Sequence, residues 1–264
     1  MGKEKLIVVK IGGNIINNNA ILEKVLKDFA NKDSLKILVH GGGKRATALS
    51  SKLGIKTTLI EGRRVTDAAT LEVATMVYAG LLNKMIVARL QAINCNAIGL
   101  SGADLNSIKS HKRSSKDIDY GFVGDIDTVG VKNITTLLTA RFTPVFCAIT
   151  HDKNGQLLNT NADSVAANLA IALSTKYDVT LILCFEKEGV LLDANDDDSM
   201  LRTISHEEFE TYKRTGVVYE GMIPKLEGAF AALNKGVSNV HIAGTTALSE
   251  KSIGGTRLVI NEVL

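Results

Sequence analysis

Tryptophan is absent from this chain of 264 residues, proline occurs twice, and cysteine three times. With only 2 Pro against 23 Gly, a collagen-like or proline-spaced rod is excluded. Cys95, Cys147 and Cys184 are odd in number, widely spaced and set in short apolar runs. They form neither a disulfide framework nor a metal-ligand pattern and read as buried free thiols, which suits a reducing cytoplasm. Long apolar runs are missing too: the opening MGKEKLIVVKIGG holds no signal-peptide core, and no stretch reaches the roughly 18 apolar residues of a bilayer span. Gly2 invites lipidation, but Leu6 stands where that pattern needs Ser or Thr. Nor is there an excess of charge. Thirty-one Lys and Arg against 28 Asp and Glu leave +3, so neither a nucleic acid nor a membrane surface is an expected partner. The local cluster Lys109 to Lys116 is followed by Asp117 and Asp119 and reads as an exposed loop, with a phosphate- or substrate-facing lid as the alternative.

What is present is 45% hydrophobic and 22% charged residues, enough apolar matter for one large domain or two lobes. Leu6 to Lys10, Lys36 to His40, Asn96 to Leu100, Pro144 to Ile149, Val179 to Phe185 and Asn239 to Ala243 read as strands. Several lack polar alternation, as expected of strands covered on both faces. Leu71, Ala74, Tyr78, Leu81, Leu82 and Met85 recur with helical spacing after a cap at Thr66 or Asp67, and Ser164 to Leu173 and Leu226 to Leu233 also read as helices. The expected fold class is α/β, an open, mainly parallel sheet with helices on both faces. Tyr120 to Gly130, with three glycines and alternating apolar residues, reads as an antiparallel hairpin added to that sheet.

Three strands run straight into glycine: Lys10-Ile11-Gly12-Gly13, His40-Gly41-Gly42-Gly43 and Gly99-Leu100-Ser101-Gly102. Glycine lets main-chain amides approach an anion, so repeated glycine turns at strand ends favour a phosphate site. Neither a P-loop nor a Gly-x-Gly-x-x-Gly turn is present. Asn159-Thr160-Asn161-Ala162-Asp163 precedes a helix, where Asp163 either caps it or faces a ligand. Lys225 follows Pro224 at a helix start and opposes the macrodipole, which leaves it facing either solvent or an anion. Lys10 ends an apolar strand, so its ammonium either snorkels out or meets a counter-charge. Two cations and one carboxylate form a set suited to phosphoryl transfer. His40, His151 and His241 show no metal spacing and read as locally packed; Asp193, Asp196, Asp197 and Asp198 read as a solvated loop.

In their order, Lys10-Ile-Gly-Gly, Val39-His-Gly-Gly-Gly, Gly62-Arg-Arg-Val-Thr-Asp67, Gly99-Leu-Ser-Gly102, Asn159-Thr-Asn-Ala-Asp163 and Gly221-Met-Ile-Pro-Lys-Leu226 resemble the amino-acid kinase family, and within it the N-acetylglutamate kinases, along essentially the whole chain. The resemblance implies a three-layer α/β/α sandwich. Residues 1–165 would form an acylglutamate-binding N-terminal lobe and 166–264 an ATP-binding C-terminal lobe. It implies that Lys10 and Lys225 stabilise the transferring phosphoryl group and that Asp163 organises them. Gly12 and Gly13 would offer amides to phosphate, and Gly42, Gly43, Arg64 and Asn159 would bind the acceptor. Adenine would lie around Phe185 to Leu192 and near Val217. The cofactor implied is Mg²⁺ bound with ATP, with no metal held by the protein itself. The acceptor, already a carboxylate, needs no general base. Because the first strand begins only five residues in, whereas resembling arginine-inhibited hexamers carry a longer leader, a homodimer without strong arginine feedback is expected.

Three segments depart from the family pattern. Gly99 to Leu105 lacks a later glycine, Pro144 to Thr150 lacks a second proline, and Phe185-Glu-Lys-Glu-Gly189 replaces a Thr-containing segment. Arg63, beside Arg64, stands where an apolar residue is frequent. An added cation there would suit N-succinyl-L-glutamate, unless Arg63 points to the opposite face of its strand. A metabolite-binding regulatory protein without turnover is the non-enzymatic alternative.

Overall fold

The computed structural model describes residues 2–60, 63–193, 195–218, 222–249 and 253–260. It divides into two compact units, one of Met1–Lys36 with Ala166–Leu264, the other of Ile37–Val165. The first unit is organised by the strand Lys5–Ile11, whose last four residues are all buried. Every residue of it pairs in parallel with Asp178–Cys184, from Lys5 opposite Asp178 to Ile11 opposite Cys184. This pairing draws the first 36 residues to the C-terminal part of the chain, a grouping that differs from a sequential cut at residue 165. Asp178–Cys184 pairs in parallel with Asn239–Ala243, and Thr256–Val259 runs antiparallel to the latter and parallel to Thr203–Ser205.

Helices cover this sheet for readable reasons. The Asn18 side chain accepts from the Ile21 N–H at the start of Asn19–Ala30, which buries Leu22, Val25, Leu26 and Phe29. His206–Thr215 opens with a reciprocal Ser205–Glu208 capping box and closes on Gly216 at φ 74°. Phe209 on that helix stacks on Phe230 of Ile223–Asn234 at 5.3 Å.

In the second unit Leu35–His40 pairs in parallel with Thr143–Cys147, which pairs in parallel with Ala97–Leu100. A separate sheet has the order Leu157–Asn159, Ile149–His151, Ile108–Lys112, Gly124–Val129, and Thr58–Ile60 forms a hairpin with Arg63–Val65. The mostly parallel sheet with flanking helices is the α/β architecture expected, and all three cysteines are buried and free.

Four expectations need correction. Tyr120 to Gly130 is not a hairpin on the main sheet: Gly124–Val129 is one strand, antiparallel to Ile108–Lys112 in the smaller sheet. Alternation marks a strand but does not name its partner. The Lys109 to Lys116 cluster is consequently half strand rather than loop. Pro144 to Ile149 is two strands, because the chain passes from one sheet to the other at Ala148. Finally, the helical run Ala68–Gln91 is long and apolar enough to cross a membrane by length and composition. Its buried side chains include Leu71, Tyr78, Leu82, Ile86, Leu90 and the amide Asn83, the pattern of a core helix. Asp67 caps it through the Thr70 N–H at 2.8 Å, and Met76–Leu82 adopts π geometry. Through that wider turn the 3.6-residue phase is lost, so Leu82 is buried while Leu81 is exposed.

Candidate functional site

In the second unit a cavity of about 500 Å³ opens where Leu35–His40 ends in three glycines. Gly42 is the position with a packing reason for its residue type: a Cβ would lie 2.7 Å from Tyr78 Cδ1 and press on Leu82. Gly43 starts the helix Gly43–Lys52. Its carbonyl accepts from Arg64 Nη2 at 3.0 Å, and the same guanidinium donates to Thr47 Oγ1 at 2.7 Å and Thr57 Oγ1 at 3.2 Å. Arg64 is thereby held in a fixed plane on the cavity wall, with donors left over for an anion. Tyr78 also lines this cavity; burial raises its phenol pKa, and the neighbouring Arg64 partly opposes that. Asn159 reaches the cavity from Leu157–Asn159 and donates from Nδ2 to the buried Thr66 hydroxyl at 3.0 Å.

Sequence reasoning missed Tyr78, which looks like any helix-core residue, and the pair Arg113–Asp125 on the same wall. Arg113 Nε donates to both Asp125 oxygens, and this pairing raises the guanidinium pKa further. The signal lay in strand register, which brings together residues twelve apart. Asn161, not Asp163, caps the helix Ala162–Leu173: its Oδ1 accepts from the N–H groups of Asp163 and Ser164 at 2.7 and 3.2 Å. Asp163 is left in the first turn, where a carboxylate complements the helix dipole.

His40 anchors the glycine turn from behind and is fully buried. Asn83 Nδ2 donates to His40 Nε2 at 3.2 Å and to the Val145 carbonyl at 2.9 Å, so His40 Nδ1 carries the proton that it donates to Gly41 O at 2.8 Å. Desolvation lowers its pKa from 6.5 to about 4, the Gly41 bond opposing. This neutral, occupied ring is no base. The unfolded ring takes up its proton at higher pH than the folded one, so this contribution to stability is complete above 6.5 and is lost as pH falls towards 4. Urea unfolding at pH 7 and pH 4.5 should show the parent losing roughly 2–3 kcal/mol more than His40→Asn over that interval. Equal losses would remove His40 as the cause.

In the first unit a cavity of about 320 Å³ is lined by Phe185, Val190, Leu191, Val217, Val218 and Lys225, among others. It gathers most of the segment expected around adenine. Lys10 is 8% exposed on its strand, and its ammonium lies 5.9 Å from the Phe185 ring centroid; that of Lys225 lies 4.4 Å from it. Gly12 caps the short helix Gly13–Asn17. A Cβ at Gly12 would make ordinary contact with Cys184 O at 3.5 Å, and one at Gly13 would meet nothing within 4 Å, so packing does not demand glycine at either position.

The remaining candidates stand apart from this chemistry. His241 is buried, its pKa lowered by desolvation and then by Arg257. Asp193, Asp196, Asp197 and Asp198 lie in an exposed loop, with Asp197 paired to Lys187 at 2.7 Å. Gly62, Gly221 and the side chain of Arg63 lie outside the described residues.

Residues 5–244 match the amino acid kinase family. The chain is 52% identical over 256 residues to an acetylglutamate kinase of Bacteroides fragilis, covering 97% of each chain. It is 52% identical over 263 residues to an acetylglutamate kinase of Cytophaga hutchinsonii, covering 98% of this chain and 100% of the relative. Among solved structures, a protein of Streptococcus mutans UA159 superposes with a TM-score of 0.81 at 27% identity, covering 97% of this chain and 99% of that one.

Proposed function

The chain belongs to the amino acid kinase family, and from that premise we propose that it transfers the γ-phosphoryl group of ATP to the γ-carboxylate of N-acetyl-L-glutamate, a step of arginine biosynthesis. The products are ADP and N-acetyl-L-glutamyl 5-phosphate. The observation that carries this reading is half-identity, end to end, with acetylglutamate kinases.

The acceptor oxygen is already anionic, so the reaction needs no proton abstraction. Its barrier lies in bringing two anions together and in spreading charge over the transferring group. In this reading the Ile37–Val165 unit holds the acceptor. Arg64 takes a carboxylate in a paired hydrogen bond, Asn159 orients the molecule, and the Gly42 and Gly43 amides complete the cradle. The other unit holds ATP, with the purine among Val190, Leu191, Val217 and Val218 and the phosphates at the Gly12 and Gly13 amides. Mg²⁺ enters as part of the ATP complex. Lys10 and Lys225 stabilise the charge in flight, and Asp163 orders them. A homodimer in the cytoplasm completes the reading, supported by the exposed Met76 and Leu81 on one helix and by the three buried free thiols. Light scattering tests the first of these, a hexamer or monomer being the contrary result.

ADP release coupled to a spectrophotometric signal, with N-acetyl-L-glutamate and MgATP, tests the reaction; no acceptor-dependent ADP would defeat it. N-succinyl-L-glutamate serves as the second arm. Arg113 on the acceptor wall is paired with Asp125, and Lys44 lines the same wall, so the two acceptors are compared directly.

Lysine cannot reproduce a planar fork. Arg64→Lys is therefore expected to raise KM for acetylglutamate by about tenfold while moving KM for ATP by less than about twofold. Initial-rate titration of each substrate decides, and a defect confined to ATP would contradict the role.

A further inference from the structure

One aromatic ring serves two ammonium groups. Lys225 Nζ stands 4.4 Å from the Phe185 centroid and Lys10 Nζ 5.9 Å from it, both within the reach of a cation–π contact. The ring itself is held independently of them. Phe185 directly follows the strand Asp178–Cys184, its N–H donates to the Ala243 carbonyl at 2.9 Å, and its side chain is only 8% exposed.

Two long, charged side chains converging on a small space repel each other, and each has considerable rotamer freedom to escape. A counter-charge such as the Asp163 carboxylate can order them, and a second, uncharged hold would add to it without neutralising them further. A ring face attracts cations through its quadrupole, carries no net charge, and accepts no strong hydrogen bond. It draws the ammoniums together without adding a charge that the phosphates would have to displace.

We propose that Phe185 is a positioning residue for phosphoryl transfer, a neutral platform that holds Lys10 and Lys225 in place before the substrate arrives. This rests on the reading of those lysines as the groups that stabilise the transferring phosphoryl.

Leucine keeps the site apolar and removes the quadrupole, whereas tyrosine keeps the ring face. Phe185→Leu is expected to lower kcat about tenfold with KM for ATP and for acetylglutamate within about threefold, a pattern that marks an interaction realised in the transition state. Phe185→Tyr should stay within about twofold of the parent in kcat. A merely structural role would move thermal stability in both variants without this split. In lysine-¹³C-labelled full-length protein, the ε-methylene signals of two lysines should be shifted upfield by the ring current in the parent and in Phe185→Tyr, and lose that shift in Phe185→Leu. Unchanged kcat in Phe185→Leu, a tyrosine variant as slow as the leucine one, or a parent without upfield lysine signals would overturn the proposal. A parent inert towards acetylglutamate but with the shifted signals would instead refute the assigned reaction and leave the platform standing. Should Phe185→Leu not fold, the parent spectrum and the Phe185→Tyr kinetics still decide.

Discussion

Truncating Lys225 or Lys10 to alanine is expected to lower kcat by a factor on the order of 10² to 10³ while ATP affinity changes by less than about threefold. In the ground state the phosphates of ATP can be served by glycine-turn amides and Mg²⁺. As the γ-phosphoryl moves, charge is redistributed over oxygens that only a placed cation can meet. Lys225 sits at a helix start, against the dipole, after Pro224. Lys10 is nearly buried in a strand whose neighbours are apolar. Asp163→Asn should also slow turnover, by loosening the order of the two lysines. Single-turnover rates with ATP binding measured separately decide the matter; folded alanine variants with parental kcat would sink the assignment.

Gly121→Val should cost about 2–4 kcal/mol of folding stability and, in whatever remains folded, raise KM for the acceptor. Gly121 has φ 69°, a conformation that β-branched residues avoid. A Cβ there would stand 2.8 Å from the Thr66 carbonyl carbon and closer still to its oxygen, and backbone cannot swing aside as a side-chain tip can. The approach is close because Thr66 and Gly121 are bridged: the Thr66 N–H donates to Tyr120 O at 2.9 Å and the Phe122 N–H to Thr66 O at 2.6 Å. Displacement would reach the cavity proposed for the acceptor quickly, because the Thr66 hydroxyl donates to the Arg64 carbonyl at 3.0 Å and accepts from Asn159. Urea titration gives the first quantity and initial rates the second. A stability loss with an unaltered KM would show that this bridge does not support the site.

Where the chain was legible, one physical cause dominated the local pattern. Leu6 to Lys10 and Val179 to Phe185 read correctly as strands to within a residue or two, because strands covered on both faces leave nearly unbroken apolar runs. The strand Ile108–Lys112 was hidden because Lys109, His111 and Lys112 present its half-exposed side. Leu81 was expected on the buried face with Leu82, and the π turn breaks that phase; no residue type announces such a turn. The candidate site divides in the same way. Glycine turns and odd lysines stand out because each is out of place in its own element. Tyr78 and Asp125 are ordinary in their elements, and only tertiary register brings them to a cavity wall.

The buried thiols carry a practical consequence. Desolvation pushes Cys147 and Cys184 up to about 12, and Cys95 is buried beside the Thr143 hydroxyl. At neutral pH only about one part in 10⁵ of the first two exists as the thiolate that attacks a maleimide or a disulfide. The native chain is therefore a quiet background for site-directed labelling. A single Lys153→Cys change, in the exposed turn before Gly155, gives a fluorophore or spin label one accessible attachment point without first removing any natural cysteine.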